Sequence, residues 1–209
     1  MKIIRTLLIF SVLLCVRSLL YPEIRYQLIL QPESRLWIEG DSTLHAFEAE
    51  AEKKILAGAA VIKDEQQLLN KRPAEQVLAG SLLEDFTLTI PVDTMKSGVP
   101  GLTGRMRKCL KQKESPDIIF TLRNFSVQKD NPAGDTYLVK AAGALLIAKV
   151  TREESLEFSA SLLPDGNISV QGEKQLLMTD FGMTPPSIIG LLKTKDEVAV
   201  KWQLIIEIK

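Results

Sequence analysis

The sequence has a single histidine, His45, and only two cysteines, Cys15 and Cys109. A Ser-His-Asp or Cys-His catalytic arrangement would have to use His45, and no serine lies in a Gly-x-Ser-x-Gly nucleophile context. A zinc site needs three or four nitrogen, sulfur or carboxylate ligands, and no Cys-x-x-Cys pair supplies two of them. The shortage of these residues argues against the common hydrolase mechanisms and against a metal centre.

The chain also lacks an excess of either charge, with 26 Lys and Arg residues against 26 Asp and Glu residues. A nucleic-acid-binding domain would need a basic surface, so nothing here points to a nucleic-acid partner. The apolar run from Thr6 to Val16 has 11 residues, well short of the roughly 20 that cross a bilayer. Because Lys2 and Arg5 precede it and Ser18 offers a small cleavage residue, residues 1–18 are predicted to be a signal peptide.

Cleavage after Ser18 would leave 23 basic and 26 acidic residues and Cys109 as the one cysteine. A lone cysteine cannot form an internal disulfide in an oxidising compartment. Two interpretations of Cys109 stay open: a packed or semi-exposed thiol, or a reactive thiol whose pKa is lowered by neighbouring Arg and Lys residues. No histidine or second cysteine lies nearby in sequence to support the reactive thiol.

Alternation of apolar and polar residues is abundant, and it is typical of β-strands that bury one face. The longest series places six apolar side chains on one face of the last strand: Val198, Val200, Trp202, Leu204, Ile206 and Ile208. Further strands are predicted at Tyr26–Leu30, Arg35–Gly40, Thr43–Ala51, Phe86–Val92, Asp117–Val127, Tyr137–Ile147, Leu156–Leu162 and Ile168–Gly172. The pattern leaves open which face of Thr43–Ala51 looks inward, and a change of phase predicts a bulge near Arg123 and Asn124.

Three other segments break the alternation. Residues 64–80 are polar and contain Pro73, which predicts a surface insertion with a short helical turn, away from the core. Apolar residues at helical spacing between Leu102 and Leu110 predict a short basic amphipathic helix. The segment Met178–Pro186 is predicted to be a bent connection that Asp180 ties through backbone hydrogen bonds. Eight to ten strands without βαβ spacing indicate an antiparallel barrel or sandwich.

Four blocks and the C-terminal tail occur in an order that resembles the YceI-like family of periplasmic polyisoprenoid-binding proteins. The blocks are Gly40–Phe47, Ile90–Ser97, Ser115–Phe120 and Gly143–Arg152, and the tail consists of Met178–Pro186, Ile188–Leu192 and Asp196–Ile206. The resemblance implies an all-β fold, an antiparallel up-and-down lipocalin-like β-barrel of about eight strands with one or two short helices, over residues 19–209. It implies a periplasmic or secreted protein that binds an isoprenoid-like lipid and is not an enzyme. Relatives often carry an arginine just before the Asp-Phe-Gly segment, where this chain has Met178 and Thr179, and this departure puts a pyrophosphate-bearing ligand in doubt.

The predicted ligand-binding residues are the inward apolar side chains of such a barrel, together with the histidine that the family pattern carries on an early strand. They are His45, Phe47, Phe86, Leu88, Ile90, Phe120, Leu122, Leu145, Phe158, Phe181 and Trp202. An eight-stranded barrel either fills with side chains or holds one small ligand, and composition does not distinguish the two. His45 either meets the polar end of a ligand or anchors the barrel.

No cofactor is expected, apart from a bound isoprenoid or quinone-like lipid, which would be either a cofactor or cargo. The basic residues between Arg105 and Lys113 are either solvated or a peripheral contact to a membrane surface. The oligomeric state is open, with a dimer among the states allowed. Two rival functions remain: a filled barrel acting as an interaction or stress-response module, and a lipid-modifying enzyme that uses His45.

Overall fold

The computed structural model describes residues 23–43, 45–62, 71–79, 82–130, 134–188 and 192–209. The predicted signal peptide at 1–18 lies outside these residues and stays a prediction. The described strands are β1 Ile24–Leu30, β2 Arg35–Ser42, β3 Phe47–Ala51, β4 Ile55–Ile62, β5 Leu82–Pro91, β6 Met95–Lys96, β7 Asp117–Lys129, β8 Thr136–Ile147, β9 Val150–Leu162, β10 Ile168–Leu177, β11 Ser187–Ile188 and β12 Leu192–Ile208. The helices are α1 Pro73–Leu78 and α2 Leu102–Cys109, with 3₁₀ turns at Val92–Thr94 and Met178–Phe181.

Eight of these strands close into an antiparallel barrel. Their order around the barrel is β1, β4, β5, β7, β8, β9, β10 and β12, and β12 returns to β1 through Leu28 opposite Ile208 and Leu30 opposite Ile206. The predicted lipocalin-like barrel of about eight strands is confirmed.

Strand β12 is long enough to pair with two different strands along one of its edges. Its last residues pair with β1, whereas its earlier part pairs with β2, from Val198 opposite Gly40 to Gln203 opposite Arg35. Strands β3 and β6 continue the sheet beyond β2. The wall of the barrel is therefore extended near the start of β12.

Two details of register follow the sequence. The six alternating apolar residues of β12 all face the barrel interior. On β7 the register shifts between Leu122 and Asn124, as predicted. The bulge explains why Leu122 and Phe125 both face inward although three positions separate them.

The predicted surface location of residues 64–80 is wrong for helix α1. Ala74, Val77 and Leu78 are 1%, 8% and 5% exposed and pack in a core cluster with Leu162 and Ile206. Pro73 begins this helix instead of interrupting it, because the first helical position does not need a backbone N–H donor. Residues 64–70 and Gly80 lie outside the described part of the chain.

The strand predicted over Thr43–Ala51 is also shorter than expected. Only Phe47–Ala51 is extended, because a local turn precedes it: the Ser42 hydroxyl donates to the His45 carbonyl at 2.8 Å and accepts from the His45 amide at 3.3 Å. The open question of its inward face is answered by Ala49 and Ala51, which are 1% and 0% exposed.

Candidate functional site

The barrel encloses an apolar cavity of about 290 Å³. Side chains from α1, including Val77 and Leu78, lie at one end, and Leu102 and Met106 of α2 line the cavity as well. Apart from Lys174, Thr194 and Cys109, the described lining residues are aliphatic, aromatic, methionine or proline side chains. A volume of this size is close to the lower end of the range of ligand pockets.

Ten of the eleven sequence-predicted site residues line this one cavity. They are Phe47, Phe86, Leu88, Ile90, Phe120, Leu122, Leu145, Phe158, Phe181 and Trp202. Alternation along β3, β5, β7, β8, β9 and β12 brings nine of them together, because every second side chain of a barrel strand points inward. Phe181 reaches the cavity from the 3₁₀ turn Met178–Phe181. Their binding role stays a prediction.

His45 is the exception. It lies in the turn between β2 and β3, it is exposed, and it is absent from the described lining of the cavity. Its Nδ1 lies 3.0 Å from the carbonyl oxygen of Ala46. The structure therefore places the one histidine of the sequence in an exposed turn, outside the described lining of the cavity.

An aromatic contact crosses the middle of the wall. The rings of Phe158 and Trp202 meet edge to face, with centroids 6.1 Å apart and planes at 79°. Gly172 of β10 lies between them, and a Cβ atom at this position would be 2.7 Å from Phe158 Cβ and 2.7 Å from Trp202 Cζ2. The glycine lets both large side chains occupy the same part of the wall.

The bent connection after β10 contributes Met178, Phe181 and Met183 to the lining of the cavity. Phe181 is 1% exposed, and Gly182 follows it with a φ of 62°, a left-handed conformation that glycine adopts without strain. The predicted backbone tie comes from a different aspartate: Asp196 accepts from the Thr179 amide at 2.9 Å and from its hydroxyl at 2.5 Å. Asp180 instead pairs with Arg152, with Nη1 and Oδ1 3.5 Å apart.

Cys109 lines the cavity from α2, and its Sγ donates to the carbonyl of Thr184 at 3.3 Å. Burial raises the pKa of its thiol, and nearby Lys111 only partly offsets that effect. A raised pKa keeps the thiol protonated near neutral pH. Of the two interpretations drawn from the sequence, the structure supports the packed thiol.

Sequence reasoning missed three contributors to the lining: α1, α2 and Lys174 of β10. The helical spacing from Leu102 to Leu110 indicated α2 but not the surface it covers. Lys174 lies an even number of positions from Ile168, Val170 and Leu176, so all four side chains belong to the same face of β10. Extending the alternation to the end of β10 would therefore have predicted that Lys174 faces inward.

Within the part of the chain that the structure describes, no three His, Cys, Asp or Glu side chains are grouped closely enough to hold a metal ion. No helix among the described residues combines the length and apolar character needed to cross a membrane.

Residues 38–206 match the family model of the YceI-like domain. The chain belongs to the YceI-like family. None of the curated proteins matches the chain in sequence.

Solved structures share the fold at low sequence identity. BcnA of Burkholderia cenocepacia superposes with a TM-score of 0.60 at 12% identity, covering 85% of this chain and 99% of that one. A polyisoprenoid binding domain from Saccharophagus degradans, implicated in plant cell wall breakdown, superposes with a TM-score of 0.58 at 15% identity, covering 87% of this chain and 97% of that one. The Campylobacter jejuni YceI protein superposes with a TM-score of 0.51 at 15% identity, covering 75% of this chain and 82% of that one.

Proposed function

We propose that this YceI-like protein is an exported carrier that sequesters an isoprenoid-like amphiphile in its barrel. The observation that supports this most directly is the apolar cavity of about 290 Å³, which the barrel walls and both helices surround. An apolar void excludes ordered water but accepts an apolar ligand. A long hydrocarbon tail fits such a lining because it has no polar group that the wall would leave unpaired.

The chemistry of the lining favours an apolar occupant, because nearly all of the side chains that line the void are apolar. Burial of a few hundred Å² of hydrocarbon tail at about 25 cal/mol per Å² contributes several kcal/mol before ordering costs. Burial of the tail is therefore the source of affinity in this proposal, and no chemical step is part of it.

A binding role also agrees with the location of the histidine. An enzyme using His45 as acid or base would need that side chain beside the bound lipid, whereas it is exposed and does not belong to the described lining of the cavity. Among the structural neighbours, the Saccharophagus degradans domain is described as polyisoprenoid binding. Export of this chain is proposed from the basic start and short apolar run of residues 1–18.

Native mass spectrometry tests the proposal on protein purified without detergent from an exporting host. We expect an intact mass that lacks the first 18 residues and a stoichiometric apolar adduct, identified as a lipid after denaturation. The Leu122→Gln variant should lose the adduct, because it places an amide in the apolar lining.

Thr121→Gln is the matched control, since Thr121 is the neighbouring residue on β7 and is exposed. It should keep the adduct. A clean unliganded mass for the unsubstituted protein, with no complex after isoprenoid lipids are added, would overturn the carrier function and favour the interaction module.

A further inference from the structure

Strands β9 and β10 separate partway along their length. They pair from Leu162 opposite Ile168 to Phe158 opposite Gly172. Beyond this point β10 continues only with β12, as far as Leu177, and β9 continues only with β8, as far as Val150. Residues 150–157 of β9 and residues 173–177 of β10 are therefore not paired with each other, and the turn Met178–Phe181 contacts both strands. We call this unpaired stretch of the wall the side opening.

A salt bridge spans the side opening. Lys174 Nζ lies 2.9 Å from Glu154 Oε2 and donates to the carbonyl of Ser155 at 3.0 Å. The two charged side chains are 28% and 14% exposed, and Glu154 is the least exposed carboxylate in any ion pair of the described residues. Lys174 is also the one charged side chain in the described lining of the cavity. The pair is therefore the polar feature that a ligand in the cavity would meet at this opening.

The pair of Lys174 and Glu154 carries no net charge. Arg152 beside it pairs with Asp180, and Glu153 pairs with Arg123. Glu173 lies 3.8 Å from Lys201, which is closer to Glu39 at 2.7 Å. A ligand that meets the pair meets one ammonium and one carboxylate, so the pair offers no excess positive charge to an anion.

An ammonium group has three N–H donors, of which Lys174 uses two. The third is available to a hydroxyl or carbonyl oxygen without loss of the existing pair. A phosphate would have to approach the Glu154 carboxylate or displace it from Lys174, and displacement would leave a half-buried carboxylate without its counter-charge. Both routes disfavour an anionic head group.

We propose that Lys174 and Glu154 form the head-group subsite at the side opening and that the pair selects an uncharged, oxygen-bearing head over a phosphorylated one. This inference rests on the proposed lipid-binding function and adds the chemical class of the ligand. The carboxylate of Glu154 is its decisive element, because it supplies the repulsion.

Geranylgeraniol and geranylgeranyl diphosphate test this subsite, since they share one apolar chain and differ only in the head. The affinity of the delipidated full-length mature protein for each compound is measured below the concentration at which the compound aggregates. We expect the unsubstituted protein to bind the alcohol more tightly. In Glu154→Gln the ratio of the two affinities should shift by about tenfold or more toward the diphosphate, because the repulsive charge is gone and Lys174 is unpaired.

The change in this ratio between proteins isolates the subsite, since the difference in hydrophobicity between the two compounds is the same in every measurement. Glu157→Gln is the matched control, because Glu157 lies on the same strand and pairs with Lys140 on the exposed surface. It should leave the ratio unchanged. Thermal unfolding of both variants verifies that the barrel is intact.

The outcomes separate the subsite from the carrier function. Binding of both compounds with a ratio that is equal in the unsubstituted protein and in Glu154→Gln would overturn the subsite and leave the carrier function standing. Tighter binding of the diphosphate by the unsubstituted protein would also overturn the subsite alone. No binding of either compound to the unsubstituted protein would overturn both.

Discussion

At the residue scale, Gly172 shows how closely the barrel wall is packed between Phe158 and Trp202. We expect Gly172→Ala to lower the free energy of unfolding by about 1–3 kcal/mol, because the new Cβ overlaps both side chains and forces them to move. The clash outweighs the gain of about 0.5–1 kcal/mol that alanine usually brings over glycine in a strand. Urea denaturation measures the difference.

Gly98 provides the comparison for this substitution. It is exposed, and a Cβ built on it meets no atom within 4 Å, so Gly98→Ala should change stability by less than about 0.5 kcal/mol. Equal stability of the two variants would show that the contact between Phe158 and Trp202 tolerates displacement.

Single residues differed in how readily the sequence revealed them. Trp202 and Phe158 were predicted to face inward because their neighbours two positions away are apolar as well. His45 lies outside the described lining of the cavity, since a turn closed by Ser42 precedes β3 and ends the alternation. Lys174 was missed because a charged residue ordinarily indicates an outward position, and its salt bridge to Glu154 was not visible in the sequence.

At the element scale, helix α1 is expected to stabilise one end of the barrel. Leu78→Ala should lower the free energy of unfolding by about 2–5 kcal/mol, because Leu78 is 5% exposed in the core cluster that α1 shares with β1, β9 and β12. Thermal and urea unfolding followed by circular dichroism measure this loss.

Glu75→Ala is the control on the same helix. Its carboxylate pairs with Arg72 at the surface, and such pairs contribute little to stability, at most about 1 kcal/mol. If Leu78→Ala cost no more than Glu75→Ala, helix α1 would not be part of the cooperative core.

Helix α1 also shows why local pattern misled the sequence interpretation. Polar residues dominate the window from 64 to 80, yet Ala74, Val77 and Leu78 occupy positions i, i+3 and i+4 of one helical face. Two turns of helix suffice to bury them against the barrel. The bulge on β7 was easier to predict, because a change of strand phase is visible within a few residues.

At the scale of the whole molecule, closure of the barrel could not be predicted from local sequence patterns. Strands β1 and β12 lie at opposite ends of the chain and pair only through their last few residues. Alternation indicated an antiparallel barrel or sandwich, and the family resemblance selected the barrel. The cavity could not be predicted either, because the same apolar residues fill a narrow barrel and line a wider one, and the width depends on strand number and tilt.

The hollow interior can be tested by filling it. Ala141 of β8 lines the cavity and is 6% exposed, so Ala141→Leu should extend into the void. We expect the thermal midpoint of the delipidated protein to stay equal or rise, since the larger side chain gains apolar contacts without displacing packed neighbours. Affinity for an isoprenoid should fall by about tenfold, because the volume left for the tail is smaller.

Ala142→Leu is the control, because Ala142 follows on the same strand and points to the opposite face. It should leave isoprenoid affinity unchanged. A loss of about 1–3 kcal/mol in Ala141→Leu, the usual cost of overpacking a filled core, would contradict a hollow barrel. If Ala141→Leu keeps its stability and binds lipid less tightly, the space beside Ala141 is empty in the unliganded protein. The affinity for lipid then comes from filling that space.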